Sequence, residues 1–164
     1  MDIRSWQAAA GSWTPATRGK DAIDYLVLHG TTGGTAADWA AQAAARALGR
    51  SVHYYVDAQG VWQSVAAQQI AWHCGSRRAY HHPACRNANS IGVALCSQQR
   101  AGRYVFDRAT VQHARALVQQ LMAQYAIPAA HVLRHYDVTG KTCPIPFVEH
   151  TADWMAFRAA LGAG

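Results

Sequence analysis

The sequence predicts a single α/β domain with a mixed central sheet of about five strands, flanked by helices. Near-continuous apolar runs at 23–29 and 91–97 are typical of buried central strands. An alanine-rich segment at 36–48 and an amphipathic one at 108–126 are typical of helices that cover a sheet. These patterns alternate along 164 residues, a length that fits one domain with its own core.

The first half of the chain contains an arm, a strand, a helix and a hairpin. Residues 1–21 lack clear periodicity, and we predict an arm packed on a domain of residues 22–164. Thr35 is the predicted N-cap of the helix at 36–48. The segments 51–57 and 61–65 flank a turn and predict a β-hairpin.

The second half begins with a polar insertion at 73–90, before the second buried strand. Asp107 is the predicted cap of the helix at 108–126, and Thr151 that of a last helix. Between these helices, the stretch 131–147 contains two prolines and a glycine, which predict a rigid loop.

The net charge of +6 and the pI near 9.5 predict attraction to an anionic partner. The basic residues are scattered and no nucleic-acid motif is present, so we expect no nucleic-acid partner. An anionic cell-envelope surface is another partner that fits the positive charge. No apolar run approaches the ~20 residues that a membrane span needs.

The amino terminus has an acidic residue at position 2 and no apolar core segment, so we expect no Sec signal peptide. The four cysteines, which form no CxxC pair, are Cys74, Cys85, Cys96 and Cys143. Cys74 and Cys85 flank the polar insertion, and both a disulfide and two free thiols are compatible with that spacing.

Three side chains are candidate metal ligands. His29 ends the first buried strand and faces a glycine-rich loop, while His135 and Cys143 lie in the proline-rich loop. Two imidazoles and one thiolate leave the fourth tetrahedral position free for water, as in catalytic zinc sites. Spacing alone leaves open the alternative that these are ordinary buried side chains.

The chain resembles the zinc-dependent N-acetylmuramoyl-L-alanine amidases of the type-2 amidase family, particularly endolysins. The resemblance covers about residues 22–160 and includes the specific motif Gly-Lys-x-Cys-Pro near its end. The segments that carry it are YLVLHGT (25–31), SVHYYVDAQGVWQ (51–63), AWHCG (71–75), NSIGVAL (89–95) and RHYDVTGKTCP (134–144).

The resemblance implies one zinc ion per chain, bound by His29, His135 and Cys143. It also implies that Lys141 stabilises the oxyanion on the scissile carbonyl. His73 and Asn89 fall in segments that line the family's substrate cleft, although either residue is equally compatible with a structural role. Asp137 is expected to orient the loop rather than to contact substrate.

The implied reaction is hydrolysis of the amide between N-acetylmuramic acid and L-alanine in peptidoglycan, by a monomer that acts on the cell wall. Delivery would follow holin-type release or export without a cleaved signal. Two alternatives stay open: a non-catalytic peptidoglycan-binding module, and a cytoplasmic amidase that recycles anhydro-muropeptides. Recycling enzymes tend to have aspartate at the position of Cys143.

One expected residue is missing. Endolysins of the family have a glutamate base at the position of Ala94, and another branch has a tyrosine at the position of Val52. Alanine cannot accept a proton, so we expect impaired catalysis. Ala94 is either the natural residue of a weak enzyme or a binding protein, or an engineered substitution that inactivates the enzyme. The otherwise intact catalytic set favours the engineered substitution.

Overall fold

A six-stranded mixed sheet organises residues 2–162, the part of the chain that the computed structural model describes. The strands in chain order are β1 (Ile3–Ser5), β2 (Trp13–Thr14), β3 (Tyr25–Gly30), β4 (Tyr54–Asp57), β5 (Gly60–Gln63), β6 (Ile70–Ala71), β7 (Ser90–Leu95), β8 (Gln98–Arg100), β9 (Arg103–Val105) and β10 (Val132–Arg134). The α-helices are α1 (Ala36–Ala45), α2 (Arg108–Tyr125), α3 (His135–Thr139), α4 (Ile145–Glu149) and α5 (Thr151–Ala159).

The strand order across the main sheet is β1-β5-β4-β7-β3-β10. The hairpin β4–β5 is antiparallel, and all other neighbouring pairs in this sheet are parallel. The predicted α/β fold with a mixed central sheet is therefore confirmed. The sixth strand is β1, by which the amino-terminal arm pairs with β5 at the edge of the sheet.

Alternation along β3 divides its side chains between two layers. Leu26 and Leu28 face the main core, which α2 and α5 cover with residues such as Leu117 and Trp154. Val27 lies on the opposite face, which the segment 73–89 and α3 cover. Helix α1 packs on that second face beside β4 and β7. His29 follows Val27 at a spacing of two and therefore lies on the second face.

Two predicted local features are present in the structure. The hairpin at 51–65 is formed by β4 and β5. Thr35 caps α1: its hydroxyl oxygen accepts from Asp38 N at 3.1 Å, and the Asp38 carboxylate accepts from Thr35 N at 3.1 Å. This reciprocal capping box fixes where the helix begins, directly after the glycine-rich loop that follows His29.

Other local predictions were wrong. The stretch 131–147 is not one rigid loop, because it contains β10, all of α3 and the start of α4. Helix α1 ends at Ala45 rather than at residue 48. Asp107 occupies the N-cap position of α2, but its carboxylate pairs with Arg100 and does not cap the helix. Thr151 is the first residue of α5 rather than its cap.

None of the helices within residues 2–162 combines the length and the hydropathy of a membrane span. All four cysteines are free thiols, and each is buried.

Candidate metal centre

Sheet topology brings the candidate ligands together. The strands β4, β7, β3 and β10 run parallel, so their carboxyl ends lie at one edge of the sheet, where open α/β sheets bind ligands. His29 is next to last in β3. His135 follows the last residue of the neighbouring strand β10. The two imidazole ring centroids are 4.6 Å apart.

Cys143 reaches the same edge on a tight connection between α3 and α4. Its backbone N donates to Lys141 O at 2.7 Å, and its carbonyl oxygen accepts from Tyr136 N at 2.8 Å. Gly30 N lies 3.4 Å from the Cys143 sulfur and donates to it. A Cβ at Gly30 would lie only 3.1 Å from Pro144 Cβ, so glycine lets the connection approach the end of β3.

The three ligand atoms of His29, His135 and Cys143 lie within 4.8 Å of one another. His135 Nδ1 is buried and has no hydrogen-bond partner among the described residues. An unpartnered buried nitrogen is costly unless something binds it. Two imidazole nitrogens and one sulfur are a ligand set that zinc prefers, with a fourth position left open. The residues therefore fit a zinc ion.

Electrostatics favour metal binding by the two histidines of the ligand trio, the name used here for His29, His135 and Cys143. Burial, and then the neighbouring His135, hold the pKa of His29 well below its ordinary value. Burial, and then Lys141, lower the pKa of His135 to about 4. Both imidazoles are thus neutral near pH 7, as metal ligands must be. Burial raises the pKa of the Cys143 thiol and so disfavours its thiolate, which the positive charge of a metal ion would stabilise.

A cleft of about 290 Å³ opens beside the trio. Lys141 lines it and is exposed at its mouth. Ala94 also lines it, and lies in register with His29 on the adjacent strand, on the same face. The residues that line this cleft, all in the described part of the chain, include no aspartate or glutamate. The cleft thus contains the predicted lysine and lacks a carboxylate base.

His73 and Asn89, the two residues predicted to contact substrate, differ in their position relative to the cleft. His73 lines the cleft, but both of its ring nitrogens already have partners, His29 and Ser90. Asn89 lies outside the residues that line the cleft. Its side chain accepts from Arg86 N at 2.8 Å and donates to Ala84 O at 3.2 Å. These contacts match the structural role that the sequence left open for Asn89.

Asp137 occupies the position expected of a residue that orients the ligand segment. Its carboxylate accepts from Arg134 N at 2.8 Å and forms an ion pair with the Arg134 guanidinium at 2.8 Å. These contacts hold the start of α3, and with it His135.

The aromatic wall of the cleft was missed from the sequence. Trp39 and Tyr55 stack with ring centroids 6.3 Å apart, and both line the cleft. The helical pattern places Trp39 on one face of the predicted helix with Ala43 and Ala47 and assigns it no contact with a ligand. The sequence nevertheless contained a signal for this position. Trp39 lies in the first turn of a helix that begins just after the strand with His29 and the glycine-rich loop, so it is close to the candidate ligands.

Comparison with known proteins agrees with this geometry. Residues 19–146 match the Amidase_2 family, described as N-acetylmuramoyl-L-alanine amidase. The N-acetylmuramoyl-L-alanine amidase XlyA of Bacillus subtilis is 30% identical over 145 residues, which cover 85% of this chain and 44% of XlyA. The chain spans 30% to 44% of the length of such curated relatives.

Two solved structures are informative. A glutamate-to-alanine mutant of PlyL is 26% identical, with a TM-score of 0.82 and full coverage of both chains. The Escherichia coli amidase AmiD, solved with the substrate anhydro-N-acetylmuramic acid-L-Ala-D-gamma-Glu-L-Lys, is 29% identical, with a TM-score of 0.55 over 71% of this chain and 49% of AmiD. With its sequence match over residues 19–146 and its fold, the chain belongs to the N-acetylmuramoyl-L-alanine amidase family Amidase_2.

Proposed function

We propose that this chain hydrolyses the amide bond between N-acetylmuramic acid and L-alanine in peptidoglycan, with one zinc ion per chain. The observation that carries the proposal is the convergence of His29, His135 and Cys143 within 4.8 Å at the carboxyl edge of the sheet. Membership of the amidase family supports the choice of bond. The substrate in the AmiD complex, a muramic acid that carries a peptide beginning with L-alanine, supports the substrate class.

The residues of the cleft divide the chemistry among them. His29, His135 and Cys143 would hold a zinc ion, which would supply a Lewis acid and would lower the pKa of a water molecule. His29 and His135 stay neutral because burial disfavours their charged forms. The Lys141 ammonium, at the mouth of the cleft, stabilises negative charge that develops on the scissile carbonyl oxygen.

Proton transfer is the deficient step. Ala94 occupies the position beside His29 where the family resemblance implies a glutamate base, and its methyl group accepts no proton. A positioned base typically contributes ~10²–10⁴ in rate. The chain is therefore expected to cleave slowly while it retains its metal and its substrate cleft.

Prolonged digestion of purified peptidoglycan, read by mass spectrometry, tests the proposed bond. We expect released stem peptides with a free L-alanine amine and glycan strands that stay intact. Products cut at glycosidic bonds, or within the stem peptide, would contradict the proposal.

A second candidate is a non-catalytic peptidoglycan-binding module, which the absence of a carboxylate among the cleft-lining residues favours. The two candidates differ in their products. A binding module releases no peptide at any incubation time, with or without added zinc, yet retains affinity for peptidoglycan.

Replacing Lys141 with alanine is expected to lower kcat with little change in KM, because the lysine acts on charge that develops only in the transition state. The measurement is steady-state hydrolysis of a soluble muropeptide. Lys20→Ala is a matched control, since Lys20 is also exposed and lies outside the cleft-lining residues. A change confined to KM would count against the oxyanion role.

Binding to wall sacculi is expected to weaken as salt increases. A second depression of about 570 Å³ adjoins the cleft and is lined by four cationic residues, Arg50, Arg77, Arg78 and Lys141. Together with the net charge of +6, it favours an anionic envelope surface. The measurement is the bound fraction in a pull-down with purified sacculi. Binding unchanged up to about 1 M salt, where the Debye length is ~3 Å, would refute this attraction.

A further inference from the structure

His73 contacts the ligand trio from outside it. Its Nδ1 lies 3.1 Å from His29 Nε2, and its Nε2 lies 3.2 Å from Ser90 Oγ. Ser90 Oγ in turn lies 2.6 Å from the carbonyl oxygen of Arg86. His73 is 8% exposed and Ser90 is fully buried, so solvent does not compete for these contacts. The four residues form one continuous hydrogen-bonded chain.

The direction of each bond follows from the last member of this chain. A carbonyl oxygen only accepts, so the Ser90 hydroxyl proton is directed at Arg86 O. Cys74 Sγ lies farther from Ser90 Oγ, at 3.8 Å, and its thiol donates to Asn87 Oδ1 at 3.2 Å. Ser90 Oγ therefore accepts from His73, so a His73 ring that carries a single proton carries it on Nε2.

The tautomer of His29 then follows. His73 Nδ1 is bare and accepts from His29, so the single proton of neutral His29 is on Nε2. His29 Nδ1 is left with a free lone pair. That atom lies 3.9 Å from Cys143 Sγ and thus faces the position where the ligand trio converges.

We propose that His73 is a positioning residue, which holds His29 in the tautomer that binds the metal. Metal-bound histidines almost always donate their second ring N–H to a fixed acceptor, and here His73 Nδ1 is that acceptor. This role is of the structural kind that the sequence left open for His73, and it differs from a contact with substrate. The inference rests on the proposed metal site.

The surroundings of His73 fix its ring. Asn87 Oδ1 accepts from His73 N at 3.1 Å and from Cys74 N at 2.8 Å, which anchors the backbone. A Cβ at Gly92 would lie 2.6 Å from His73 Cγ, so only glycine lets the ring lie against β7. The acceptor nitrogen is therefore held in place before any metal binds.

The tautomers are read directly in the metal-free protein. Long-range ¹H–¹⁵N correlation spectra of the ¹⁵N-histidine-labelled chain at about pH 8, where ordinary imidazoles are neutral, distinguish the two ring nitrogens. We expect Nε2–H tautomers for both His29 and His73. A proton on His73 Nδ1 or on His29 Nδ1 would overturn the inference, and this measurement requires no variant.

A matched pair of variants tests the consequence for the metal. Leucine and asparagine have nearly the same shape, but only asparagine has an oxygen close to the position of Nδ1. We expect His73→Leu to weaken zinc binding about 10–100-fold and His73→Asn to retain most of the affinity. Zinc dissociation constants from chelator competition give the comparison. Equal losses in both variants, or no loss in His73→Leu, would overturn the proposal.

The proposed function and the role of His73 are contradicted by different results. Absence of zinc binding by the unmodified chain would count against the proposed function. Wrong tautomers in the metal-free chain would count against the role of His73 alone.

Discussion

Replacing Ala94 with glutamate is expected to raise the rate of amide cleavage by about 10²–10⁴, the usual contribution of a positioned base. Residue 94 is in register with His29 on the adjacent parallel strand, and neighbouring strands lie about 4.8 Å apart. Both side chains are on the face of the sheet that lines the cleft. A carboxylate at this position lies within reach of a water beside the ligand trio.

Ala94→Gln is the matched control, because glutamine has the size of glutamate and no basic carboxylate. Initial rates of muropeptide hydrolysis, measured by chromatography, give the comparison among the three chains. An equal gain in the glutamine variant would attribute the effect to packing. Absence of a gain in the glutamate variant would place the base elsewhere.

Folding of these variants needs its own check. Ala94 is 3% exposed and packs against Val52, Tyr55 and Cys96, so a longer side chain must extend into the cleft. Thermal unfolding of the three metal-free chains is the appropriate measurement. If the glutamate and glutamine variants have similar unfolding midpoints, a difference between their hydrolysis rates reflects the carboxylate and not a difference in stability.

Replacing Cys143 with serine is expected to remove most of the bound zinc and, with it, most of the residual cleavage. A thiolate is a strong zinc ligand, whereas a neutral hydroxyl is not among the side chains that zinc selects. His29 and His135 alone leave two of four tetrahedral positions without a protein ligand.

Cys96→Ser is the control, because it makes the same chemical change at another buried thiol outside the ligand trio. Zinc content after dialysis, measured by elemental analysis, is expected to be close to one ion per chain in this control. Full zinc content in Cys143→Ser would exclude Cys143 as a ligand.

The candidate site was largely predictable from the sequence, because its residues have strong local signals. His29 is next to last in an unmistakable apolar strand, and Thr35 caps a helix with a capping box. Cys143 lies in the specific motif Gly-Lys-x-Cys-Pro. The parallel pairing of β3 with β10 then brings His135 to His29.

The remaining features depend on contacts between distant parts of the chain. Strand β10 has three residues, and it is defined by pairing with β3 more than 100 positions earlier. Strand β1 is equally short and pairs with β5, for example Ile3 with Val61. His73 bonds to His29 across 44 positions, and no local pattern distinguishes that contact from a substrate contact.

X-ray absorption at the zinc edge tests the metal centre most directly. For the zinc-loaded chain we predict one sulfur at ~2.3 Å and two imidazole nitrogens at ~2.0–2.1 Å, with a further light atom in the open position. The sulfur signal is expected to disappear from any zinc retained by Cys143→Ser. A zinc shell without sulfur in the unmodified chain, or with a sulfur that persists in Cys143→Ser, would contradict a centre formed by His29, His135 and Cys143.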